Sequence, residues 1–167
     1  MRKPLIVAAT TLACVVPFAW AQQHDPAMHT QHQNTEGTKK PLLAKDGRQL
    51  VSFPARLKEE TLTNMRDHLL ALQQIQAALA KQEYDLAADI AEQRLGMTSL
   101  NLHGAHEVAK YMPDGMKAAG SGMHRNASRF AVAAKDAAIT GDLKPVLEAL
   151  SNVTAQCVAC HAGYRLK

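Results

Sequence analysis

The sequence predicts an all-α fold, an antiparallel up-down bundle of four helices. Three observations lead there. Hydrophobic residues make up 47% of the chain but aromatics only 4%, and alanine, the strongest helix former, supplies much of the apolar share. Four segments repeat apolar residues at spacings of three and four. Glycine and proline punctuate the joins between those segments, and β-branched residues are few.

Residues 1–21 read as a secretory signal peptide. Arg2 and Lys3 precede a short apolar run, and Ala19-Trp20-Ala21 forms a small-x-small cleavage site. The run is too short to span a bilayer. A lipoprotein signal using Cys14 is the alternative, with poorer flanking residues. Cleavage after Ala21 removes Cys14 and leaves Cys157 and Cys160 of the three cysteines. It also takes Arg2 and Lys3 from the 19 basic residues, so 17 face 15 acidic ones. Such a balance gives no electrostatic reason to bind nucleic acid or a membrane surface.

Residues 22–53 read as a flexible polar leader without apolar periodicity. His24, Met28, His29 and His32 lie here, a set that can take copper or another soft metal. The competing reading is a solvated tail.

Residues 54–167 read as the folded domain. The first helix is expected from Pro54 or Ala55 to Lys81, with Ser52 as N-cap. Its stripe is Leu62, Met65, Leu69, Leu72, Ile75 and Leu79. The second starts near Tyr84, carries Leu86, Ile90 and Leu95, and weakens at Gly96. A further helical stretch, His103 to Met112, meets a turn at Pro113-Asp114-Gly115. The third helix is expected over 116–140, loose at Gly120 and Gly122, and closed by Gly141. Asp142 caps the fourth, with Pro145 in its first turn. Its stripe runs from Leu143, Leu147, Leu150 and Val153 into Cys157, Cys160, His161 and Tyr164.

That last stripe ends in Cys157-Val158-Ala159-Cys160-His161, the attachment signature of a c-type haem. Each thiol can form a thioether with a haem vinyl group, and the adjacent imidazole can reach the iron. On a helix, positions 157, 160 and 161 share a face. Half a zinc site lacks its second cysteine pair. A thioredoxin-like pair lacks its βαβ context. A structural disulfide is compatible with export but leaves His161 unexplained. Haem c, one per chain and covalently attached near the C-terminus, is the expected cofactor.

The segment from Gly141 through Cys157–His161 to Tyr164-Arg165 resembles the last helix of the cytochrome c-prime and cytochrome c-556 family, in which CxxCH lies near the C-terminus and is followed by an aromatic–Arg pair. The first helix, with Met65, Ile75, Leu79 and Tyr84, is similar as well. The likeness covers roughly residues 55–165 and is weakest between Gly96 and Gly122. It implies covalent haem on Cys157 and Cys160, His161 as proximal iron ligand, and Arg165 beside the proximal haem face. It also implies a choice at the sixth iron position. In the low-spin relatives a first-helix methionine fills it, the place Met65 takes here. In the high-spin relatives it stays open to NO or CO.

Met65 also reads as an ordinary core residue. His68 is a competing ligand, off the stripe. His103, His106 and Glu107 are spaced as a possible metal pair, though without the HExxH pattern. His124 and Arg125 are candidates to face a haem propionate. The expected work is electron transfer between periplasmic redox proteins, with a homodimer implied by resemblance. No acid–base or nucleophilic constellation points to an enzyme. A gas-binding module and a copper-handling protein are the alternatives.

Overall fold

A computed structural model describes residues 46–167 of the chain, and they are mostly helical. The signal segment, the His- and Met-bearing part of the leader and Cys14 lie outside the described residues. The elements in order are β1 (Gln49–Val51), α1 (Ala55–Ala80), α2 (Tyr84–Arg94), a 3-10 segment (Met97–Asn101), α3 (Ala105–Ala109), α4 (Asp114–Thr140), α5 (Lys144–Gly163) and β2 (Tyr164–Leu166). Among the described residues no helix is long and apolar enough to cross a membrane.

α1 packs on α2, α2 on α4, and α4 most extensively on α5, while α1 and α5 scarcely touch. Alanine makes the first three contacts close. Ala71 and Ala78 of α1, Ala87, Ala88 and Ala91 of α2, and Ala127 and Ala134 of α4 are at most 2% exposed. Small side chains let the helix backbones approach, and Ile75, Phe130, Val146 and Val153 fill the remaining space. This shifts the buried face away from the leucine stripes that the sequence suggests. Leu86 and Leu147 are half exposed, and Ala87 and Val146 take the inward positions instead.

The predicted stripe of α1 has two fates. Ile75 and Leu79 enter the core, whereas Leu62, Met65, Leu69 and Leu72 face an opening toward α5. Leu69 is 68% exposed.

Several local expectations change. Pro54, not Ser52, precedes α1, with its carbonyl accepting from Lys58 N–H at 2.9 Å and no side-chain cap. α4 begins at Asp114, so Pro113-Asp114-Gly115 is a helix start and not a free turn. The helix runs unbroken through Gly120 and Gly122, supported by α5 along its length. The stretch from His103 to Met112 is helical only over Ala105–Ala109. Gly141 does close α4, in the left-handed region at φ +73°, with its N–H donating to Ala137. Asp142 Oδ1 accepts from Lys144 N–H at 3.0 Å and satisfies a free donor at the start of α5.

Residues 46–53 fall within the stretch read as leader. Of these, Gln49–Val51 pair in parallel with Tyr164–Leu166, Gln49 opposite Tyr164 and Val51 opposite Leu166. Val51 is buried, and its carbonyl accepts from Lys167 N–H. The two ends of the described chain are thereby tied beside the last turn of α5.

Candidate functional site

Because α1 and α5 diverge, two adjoining cavities open between them, with α4 as the floor. The larger, about 470 Å³, is bounded by Leu62, Met116, Tyr164 and the cations Arg48, Lys58 and Arg165. The smaller, about 160 Å³, is bounded by Leu69, Leu72, Met123, His68 and Cys157. Both are lined by Met65, Gly120, Cys160 and His161. The larger one lies within the range of cofactor sites, roughly 300–1,000 Å³. A wider depression between the start of α2 and the end of α4 is lined by Tyr84, Asp85 and Gly141 and offers no cysteine, histidine or methionine.

The motif residues sit on the final turns of α5. Cys157 and Cys160 are half-buried free thiols, and burial pushes both above the ordinary thiol range, Cys160 further through its neighbour Cys157. Cys157 Sγ stands 3.7 Å from the Val153 carbonyl. His161 is exposed at the cavity edge. Met65 is half-buried on α1 and lines the same space. The stripe that the sequence places in the core therefore ends in a cavity: Val153 is packed, Cys157 is at the boundary, and His161 is open.

Arg165 also lines this space, at its mouth, with Nε 3.4 Å from Asp46 Oδ2. Arg48 holds the same carboxylate more closely, at 2.8 Å through Nη2 and 3.0 Å through Nε. The Arg48 hydrogen bonds hold Asp46 well below the usual carboxylate range, at about 2. Arg48 Nη1 also reaches the His161 carbonyl at 3.5 Å, a long contact. Tyr164 packs: its hydroxyl lies against Gly115, where a Cβ would collide with it. That contact brings Tyr164 of β2 against the start of α4.

Sequence reasoning missed Arg48, Lys58 and Met116 as lining residues. Arg48 lay in the stretch read as leader, which has no sustained apolar period to signal ordered structure.

The other candidates separate. Glu107 pairs with Lys110 at 2.7 Å and His106 is exposed, so neither joins His103. His103 instead meets His68, with ring centroids 4.7 Å apart. His68 is buried and lines the smaller cavity as well. His124 is buried, its Nδ1–H donating to the Leu95 carbonyl at 2.7 Å, and Arg125 is exposed. Neither lines the cavities, which removes them as cavity-facing residues.

Comparison with protein-family models, with curated proteins and with solved structures finds no match to this chain.

Proposed function

We propose that this chain is a periplasmic monohaem c-type cytochrome that carries single electrons, with haem c in the opening between α1, α4 and α5. The observation that carries the reading is the meeting of Cys160 and His161 with Met65 at two adjoining apolar cavities, the smaller bounded by Cys157 and the larger by Arg48, Lys58 and Arg165. Exposed Leu69 supports it, because a large apolar group there would cover that side chain.

In this reading α1, α2, α4 and α5 are the members of an antiparallel up-down bundle of the cytochrome c-prime and c-556 type. Cys157 and Cys160 would hold the haem covalently through thioethers. His161 would supply a nitrogen ligand to the iron and Met65 a thioether ligand. Arg48, Lys58 and Arg165 would supply counter-charge for propionates. When bound, haem supplies a one-electron iron couple. The chain tunes it through the thioether, which favours the reduced state, and through the apolar wall, which limits water. Partners are other periplasmic redox proteins, and the chain acts as a carrier, not as an enzyme.

A haem stain after denaturing electrophoresis tests the attachment. The parent protein should stain. Cys157→Ala/Cys160→Ala should not, and a stained double variant would overturn covalent attachment at these residues.

A further inference from the structure

We propose that His68, His103 and His124 form a second metal site, for a divalent ion of the zinc class, separate from Cys157–His161. Each histidine comes from a different part of the fold: α1, the turn before α3, and α4. Their ring centroids lie 4.7, 5.9 and 6.2 Å apart.

The distances favour a shared ion over hydrogen bonding. His68 Nε2 and His103 Nδ1 stand 3.4 Å apart, longer than a well-formed hydrogen bond. Two nitrogens bound at 2.0–2.1 Å to one tetrahedral zinc are held about 3.3–3.4 Å apart. His124 is set up differently. Its Nδ1–H donates to Leu95, the type of outer contact that fixes a ligating imidazole's tautomer and leaves Nε2 as a lone pair. Among the described residues no three donors already close around one point. His68 and His103 stand at ligand spacing, and His124 would close the site by shifting toward them with its Leu95 contact kept.

The surroundings suit a cation bound by neutral ligands. Arg94 is the opposing charge nearby, and Asp67 neutralises it through a paired contact. His103 is only partly buried and provides the way in, with a water free to take the fourth position.

The test is calorimetric titration of the full chain, as purified, with Zn(II) at pH 7.5. The background is a His24→Gln/His29→Gln/His32→Gln variant, so that the leader does not compete. One zinc per chain should bind. His103→Gln should weaken binding beyond the ~10–100-fold that loss of an outer-shell partner costs, while His106→Gln, on the same segment, should leave it unchanged. Zinc-edge X-ray absorption of that background protein should show three imidazoles at about 2.0–2.1 Å, a readout independent of how the variants fold. Absence of binding in the leader variant, equal affinity in His103→Gln, or fewer than three imidazoles would overturn the site.

Discussion

The end of the helical domain around Phe130 and the end around Met65 use the same long helices and are packed in opposite ways. At the first, α2 lies between α1 and α4, and Ile75, Phe130 and Val146 have no exposed surface. At the second, Met65 is half-buried and Leu69 is largely exposed. The difference follows from helix length. α1 and α4 have 26 and 27 residues but α2 has 11, so at 1.5 Å per residue α2 covers less than half of either neighbour. Past Arg94, the 3-10 segment and α3 take over on one side. On the other, α5 departs from α1 and the gap stays open. A packed end fixes the geometry, and the open end holds the chemistry-bearing residues at the margin of a preformed space.

The comparison can be broken at either end. Phe130→Ala should cost about 3–5 kcal/mol in urea unfolding, since it empties a fully closed site. A loss below about 1 kcal/mol would mean that the core end is not tightly packed.

At the junction between the ends, acid should act through His68. Burial pushes its imidazole down to about 4 from 6.5, with the nearby His103 adding to the effect. The folded state thus favours the neutral ring. Its contribution is complete above about pH 6.5 and is lost as pH falls through about 4, on the order of 3 kcal/mol for this group. Urea midpoints measured between pH 7.5 and 4 should fall accordingly, and His68→Gln should flatten that part of the curve. An unchanged slope in the variant would assign the acid sensitivity elsewhere.

Gly141→Ala should cost about 1–2 kcal/mol because the residue is left-handed at φ +73°. Thermal melting would register this at the closed end without altering the cavity.

Leu69→Ala should change stability by less than ~0.5 kcal/mol in the Cys157→Ala/Cys160→Ala background, where nothing covers that side chain. It should cost more in the haem-loaded protein. Equal effects in both backgrounds would argue against a group lying over Leu69.

Much of the fold was legible in spacing. α1, α4 and α5 appear nearly where the apolar periods put them, and Gly141 ends α4 as its chemistry requires. The inward faces were less legible. Leucine draws attention in a pattern, but in this core alanine decides how near the helices come, so Leu86 and Leu147 were misplaced while Ala87 and Val146 carry the contact. The strand pair was invisible because three residues at each end, far apart in sequence, have no local signature. Of the residues that line the cavities, Cys157, Cys160 and His161 had been singled out by their spacing and Met65 by resemblance. The cations around the mouth and the histidine cluster were not, since both depend on long-range approach: Arg48 to residues of α5 and β2, and His68 to His103 and His124.

Met65 and His161 are the proposed ligands to one haem iron. The most direct measurement is the absorption spectrum of the reduced protein before and after CO, for the parent and for Met65→Leu. The expected parent spectrum is low-spin and indifferent to CO, and the Met65→Leu spectrum becomes high-spin and shifts on CO addition. A parent protein that is already high-spin and binds CO readily would contradict it and make this chain a gas binder.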